Sequence, residues 1–131
     1  MKSIVIDTSA LIAVVANEPE KEKLVSLTGN CSLIAPRSVY WEVGNAFSAM
    51  IKRERATLSQ VKSALKVFDA IPVRYVEVGL GEALDIAQQY SIYAYDAYLL
   101  AAALRHGAPL LSLDRQMVRL GEMMGIQVLE V

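Results

Sequence analysis

The chain has 131 residues, 54% apolar and 21% charged, with only 7 Gly and 4 Pro, which excludes disordered, collagen-like and low-complexity architectures and leaves room for one core. A net charge of -1 and a pI near 5.8 speak against a free-standing nucleic-acid binder, whose domain charge is usually strongly positive. The single cysteine, Cys31, excludes an intramolecular disulfide and any multi-thiolate zinc or iron–sulfur site, and points to a reducing compartment.

In chain order, residues 2–6 (KSIVI) are a β-branched apolar run ending at Asp7-Thr8-Ser9, a strand running into a helix N-cap. Ala10 to Ala16 continue as a buried helix, and Pro19 fits the first turn of a short helix reaching about Leu27, stopped by Thr28-Gly29-Asn30. Cys31 to Ala35 reads as a second strand broken by Pro36. Ser38 is placed to cap a long helix carrying Val39, Val43, Ala46, Phe47 and Met50 at helical spacing.

Thr57 with Gln60 three residues on is a capping-box signature for a helix bearing Val61, Ala64, Leu65 and Phe68 on one face. Pro72 opens a third strand over Val73–Val78, Gly79 and Gly81 mark a turn, and Ala83 to Tyr90 returns to helical spacing. A helix from about Ala94 to Arg105 ends at His106-Gly107, Pro109 to Leu113 forms a short strand reaching Asp114, Arg115 to Met123 is helical, and Ile126 to Val131 closes as a last strand. Strands that are continuous apolar runs, separated by helices, predict one α/β domain over residues 1–131: a three-layer α/β/α sandwich around a mostly parallel sheet of about five strands.

No run approaches the eighteen or so apolar residues of a membrane span, and the start lacks a signal-peptide layout, so the expected location is cytoplasmic, with no membrane partner. A mean hydropathy of +0.35 implies that some apolar surface meets another protein, most simply a second copy in a homodimer.

In an open parallel sheet, ligands bind beyond the carboxyl ends of the strands. Four acids fall there: Asp7 after the first strand, Glu42 one turn into the helix after the second, Asp96 in the first turn of its helix, and Asp114 after the fourth strand. Singly, the three aspartates are ordinary caps or first-turn acids. Glu42 is not, because its helical neighbours Val39, Asn45, Ala46 and Ala49 make a mainly apolar or small face. If the four converge, two carboxylates about 4 Å apart repel by roughly 4 kcal/mol at an effective dielectric of 20, so the cluster needs a cation. Oxygen-only ligands suit Mg²⁺ or Mn²⁺ rather than zinc.

The stretches VIDTSALIAV, SVYWEVGNAF, YDAYLLAAAL and LLSLD, in that order and spacing, resemble a PIN domain, and the short length and whole-chain match resemble a VapC-type ribonuclease toxin. The resemblance implies a divalent-metal endoribonuclease, with Asp7, Glu42, Asp96 and Asp114 as metal-site acids and with Ser9 and Thr8 orienting water or the first acid. It also implies a cognate antitoxin as partner and RNA as substrate. Many relatives carry Thr or Asn where Ser112 stands, and the family's fourth acid is its most variable, which sets Asp114 apart from the other three. No histidine base is needed, so His106 reads as a C-terminal dipole cap.

Between Arg37 and Arg74, seven basic groups face three acidic ones. Those from Lys52 to Lys66 fit an RNA backbone and a solvated helix face equally. Tyr90, Tyr93, Tyr95 and Tyr98 around Asp96, and Tyr40 and Trp41 beside Glu42, fit base stacking, helix packing or a dimer seam. Two other functions share parts of the pattern. A Mg²⁺-dependent phosphatase or receiver-like protein also sets aspartates at strand ends, but Asp7-Thr8-Ser9 lacks the second Asp of such phosphatases and the last strand offers no lysine. A non-catalytic module would use the acids only to grip a partner's arginines.

Overall fold

The computed structural model describes residues 2–131, which form four strands and seven helices. In chain order these are β1 (Lys2–Ile6), α1 (Thr8–Val15), α2 (Lys21–Thr28), β2 (Cys31–Pro36), α3 (Ser38–Lys52), α4 (Leu58–Ala70), β3 (Val73–Val76), α5 (Leu80–Tyr90), α6 (Ala94–His106), β4 (Leu110–Leu111) and α7 (Arg115–Met123).

The sheet order is β3-β2-β1-β4, with every pairing parallel. Parallel neighbours need crossover connections, which the intervening helices supply. β1 and β2 are paired from Lys2↔Cys31 to Val5↔Ile34, and β1 and β4 from Val5↔Leu110 to Ile6↔Leu111. Ile4, Val5, Ile6, Ile34, Ala35, Leu110 and Leu111 are all buried, as expected of strands covered on both faces. Helices α1 to α4 pack as one group, and α5 packs on α6, which lies against β1 and β2. α6 is lined by buried Ala97, Leu99, Leu100, Ala101, Ala102 and Ala103. Such a run, apolar on nearly all sides, suits a helix with neighbours all round.

Two of the expected strands are reduced: the one over Pro109–Leu113 pairs only at Leu110–Leu111, and Ile126–Val131 forms no strand of its own, so the sheet has four strands. β4 holds two residues, and the tail adds a single parallel bridge, Leu110↔Val128, with the Leu110 N–H donating to the Gln127 carbonyl at 2.8 Å. The Leu129 N–H returns a bond to the Leu110 carbonyl at 3.0 Å, and packing adds to these bonds. Gly121 leaves the space that Val128 fills, since a Cβ there would stand 3.0 Å from Val128 Cγ2 and 3.3 Å from Leu110 Cδ2.

Local signals hold at several ends. The Thr57–Gln60 capping box is formed in both directions at 2.9 and 3.1 Å. Gly107 ends α6 in the left-handed region at φ 56°, where a residue without Cβ is unstrained. Other ends differ. Pro36 closes β2 rather than breaking it, and pairs with Val76. Pro19 precedes α2, which begins at Lys21. Gly81 lies inside α5, which starts at Leu80. Ser38 is the first helical residue rather than the cap: Arg37 takes the cap position with no side-chain bond, and Ser38 Oγ is buried without a partner. Among the described residues, no helix is long and apolar enough to cross a membrane.

Candidate active site

The strand order reverses at β1: the chain runs outward through β2 and β3, then returns to place β4 on the other side of β1. Such a reversal opens a crevice at the carboxyl ends of the two strands that flank it. Asp7 follows β1 and Ser112 follows β4, and both are buried at this edge.

Asp7 is the anchor. It is 4% exposed and caps α1. Its Oδ1 accepts from Ser9 Oγ at 2.7 Å and from the Ala10 N–H at 3.1 Å, and its Oδ2 accepts from Ser112 Oγ. Ser9 Oγ in turn accepts from the Leu113 N–H at 2.9 Å, and Ser112 Oγ from the Asp114 N–H at 3.0 Å. The two hydroxyls thus stitch the β1–α1 junction to the β4–α7 junction. Burial pushes the Asp7 carboxyl above the ordinary aspartate range, an effect opposed by the bonds from Ser112, Ser9 and Ala10 and reinforced by Asp114.

Asp114 is exposed and caps α7, its Oδ1 accepting from the N–H groups of Gln116 and Met117 at 2.9 and 3.2 Å. The simple capping role is therefore real for Asp7 and Asp114. Asp96 is different: it sits in the first turn of α6, which Tyr93 caps without a side-chain bond. Asp96 is half-buried, and its carboxyl is raised first by burial and then by the charge of Asp114.

Glu42 is raised as well, and its surroundings differ from those of the aspartates. It projects from α3, and its Oε2 is buried with no hydrogen-bond partner. Burial, then Asp96, then Asp7, push its carboxyl up to about 7. A buried carboxylate normally has a donor or a cation beside it. The charges acting on Glu42 are both acids. Thr8 Oγ1, one residue after Asp7, is also buried without a partner.

The charge couplings therefore link the four segments pairwise: Asp114 acts on Asp7 and on Asp96, and Asp96 and Asp7 act on Glu42. Among the described residues, no three His, Cys, Asp or Glu side chains close into a metal-binding group. Repulsion of roughly 4 kcal/mol for two carboxylates at about 4 Å favours such spacing without a counter-charge. Glu42 and the hard oxygen donors around it suit Mg²⁺ or Mn²⁺, and the unpartnered Oε2 is an open donor for one. His106 lies exposed in the last turn of α6, where a cation favours the helix dipole.

Ser112 was visible in the sequence only as a departure from family habit, whereas here it joins two of the acids. Ser38 was hidden altogether, because a serine at a helix start ordinarily reads as a cap.

The match to a family model decides the kinship: residues 4–123 match the PIN domain. The chain belongs to the PIN domain family. Among solved structures, this PIN domain resembles PAE2754 from Pyrobaculum aerophilum, at 23% identity and a TM-score of 0.70 over 91% of this chain and 86% of that one. It resembles Mycobacterium tuberculosis VapC20, described as a Sarcin-Ricin loop cleaving toxin, at 16% identity and a TM-score of 0.64 over 90% and 95% of the two chains. A toxin-antitoxin complex from Klebsiella pneumoniae is similar at 18% identity and a TM-score of 0.55 over 85% and 86%. At these identities the likeness establishes the fold. No curated protein matches the chain in sequence.

Proposed function

We propose that this PIN domain is a divalent-metal-dependent endoribonuclease, the VapC-type toxin of a toxin–antitoxin pair. One observation carries the reading: a half-buried glutamate with one buried, unpartnered oxygen, raised to about 7 by burial and by two other acids, at the crevice where a parallel sheet reverses its strand order. A site that stores uncompensated negative charge is built for a cation.

Asp7, Glu42 and Asp96 would hold Mg²⁺ or Mn²⁺, with Asp114 at the rim. The chemistry such an ion supplies is Lewis-acid polarisation of the phosphodiester and activation of water at neutral pH. The chain's own residues do the rest. Ser9 and Ser112 hold Asp7 in one orientation by bonding its two oxygens. Glu42 retains a proton up to about pH 7 and yields it when positive charge enters the pocket. After burial, Asp96 adds to what raises Glu42, from a helix that packs on β1 and β2.

A homodimer and an antitoxin are the proposed protein partners. Trp41 and Tyr93 are 69% and 87% exposed, aromatic side chains of the kind enriched at protein interfaces. A separate apolar cleft of about 490 Å³ between α1, α3 and α4, lined by Phe47, Met50, Val61 and Val67, offers a seat for an antitoxin segment. That VapC20 is described as cutting the Sarcin-Ricin loop supports RNA as the substrate class.

The test is purified protein on mixed single-stranded RNAs with Mg²⁺, Mn²⁺ or chelator, beside Asp7→Asn and Asp96→Asn. Expected are metal-dependent cuts leaving 5'-phosphates, abolished in both variants. Cleavage that survives chelator, or is undiminished in both variants, refutes the mechanism.

A further inference from the structure

A second cleft, of about 290 Å³, lies at the carboxyl ends of β2 and β3. Pro36, Arg37 and Ser38 line one side, Tyr75 and Glu77 another, and Tyr98 of α6 closes it. Its size is at the lower bound of small-molecule sites, roughly 300 Å³, which admits a single nucleotide and excludes a duplex. β2 is the direct neighbour of β1, and strands are spaced about 4.8 Å apart. The cleft is thus one to two strand spacings from Asp7, along the edge that carries the acids. Ser38 and Glu42 are four residues apart on α3 and share a helix face.

Its lining combines two kinds of recognition chemistry. Arg37 is exposed, and its guanidinium lies 5.4 Å from the centroid of the Tyr75 ring. Tyr75 is itself braced edge-on by Tyr40 at 5.9 Å. A guanidinium plane and a tyrosine ring are what unpaired bases stack upon, and the guanidinium also pairs with phosphate. α3 starts here with no side-chain cap; the Tyr40 N–H is taken by the Arg37 carbonyl at 3.1 Å, which leaves the N–H groups of Ser38 and Val39 to face an anion. The unpartnered Ser38 hydroxyl lies at the same end. Glu77, across the cleft, repels further phosphates and so limits the anion to the Arg37 side.

We infer that this cleft is a nucleotide subsite: Arg37 and the open N-terminus of α3 hold a backbone phosphate next to the scissile one, and the attached base packs against Tyr75 and Tyr98. The inference rests on the nuclease reading above and adds to it a binding surface outside the acids.

The test measures binding in chelator, where no cleavage occurs, by fluorescence anisotropy of the full chain with a labelled single-stranded RNA hexamer across a salt series. Arg37→Gln should weaken binding several-fold and lower the slope of log affinity against log salt by about 0.7, the share of one phosphate on a single strand. Tyr75→Leu should weaken binding by roughly 5- to 150-fold, the range for one stacked base, with the slope unchanged. Melting curves establish that each variant is folded, and Arg37→Gln, at an exposed position, covers the case in which Tyr75→Leu is not. Parent-like binding and slope in Arg37→Gln overturn the subsite. So does a shift from dimer to monomer in either variant with RNA affinity intact, which would assign the cleft to a second copy. A parent that binds RNA through Arg37 but never cuts it with Mg²⁺ or Mn²⁺ refutes the nuclease reading instead, so the two failures are distinct.

Discussion

Replacing Glu42 with Gln removes a half-buried carboxyl while keeping the side chain's shape, and the size of the effect follows from the site. Burial, Asp96 and Asp7 lift the carboxyl from its ordinary 4.5 to about 7. At roughly 1.4 kcal/mol per unit, reduced for the solvent screening of a half-buried side chain, the ionised form is disfavoured in the folded protein by about 1–3 kcal/mol. Between pH 4.5 and about 7 the folded state keeps a proton that the unfolded chain has released, so stability falls as pH rises through that window and levels off above it. Glu42→Gln has no such proton to lose. In chelator at about pH 8 the variant should be more stable than the parent by up to about 3 kcal/mol, and the gap should shrink toward zero near pH 4.5. Urea unfolding at a series of pH values measures both curves. Asp7 and Asp96 are raised as well and slope the parent and the variant in the same direction, so the difference between the curves isolates Glu42. Parallel curves, or a variant less stable than the parent at about pH 8, would show that the glutamate is satisfied by something other than a cation.

Other outcomes follow from the same contacts. Asp7→Ala strips the cap of α1 and two hydroxyl partners and should cost about 1–2 kcal/mol; Asp7→Asn keeps an acceptor and should cost much less, while both abolish cleavage in the RNA assay. Millimolar Mg²⁺ or Mn²⁺ should raise the melting temperature of the parent by mass action, and Asp96→Asn should blunt that rise while melting no lower than the parent without metal. Gly121→Ala pushes a methyl to 3.0 Å from Val128 and 3.3 Å from Leu110; overpacking of about 1–3 kcal/mol exceeds the helix-propensity gain of up to about 1 kcal/mol, so thermal unfolding should report a net loss with RNA cleavage retained.

Much of this molecule was legible because its signals are local. KSIVI is β-branched, apolar and closed by a capping aspartate, and the strand ends there. Thr57 and Gln60 complete each other across one turn, so the start of α4 follows from four residues. Misreadings arise where tertiary packing overrides such signals. The residues from Ile126 onward have the composition of a strand, yet β4 is too short to pair with them beyond one bridge. Gly81 reads as a turn but is accommodated in an exposed first turn of α5.

The acids were legible as strand-end and first-turn residues, and Glu42 as a misfit on an apolar helix face. Their electrostatic coupling was not, because it depends on strand order. Only the placement of β4 beside β1 brings Ser112 to Asp7, and 105 residues separate that pair. The cleft beside Arg37 was hidden for the same reason: Arg37 and Tyr75 belong to segments that meet only when β2 pairs with β3.

The central claim is that acids from distant segments share one cation. Crystals grown with Mn²⁺ and measured at its absorption edge test it directly, since anomalous scattering locates the metal without reference to activity. The account predicts a peak bounded by the carboxylates of Asp7, Glu42 and Asp96, absent in crystals of Asp96→Asn. Saturating Mn²⁺ with no peak there, or with the ion held elsewhere on the surface, would contradict it.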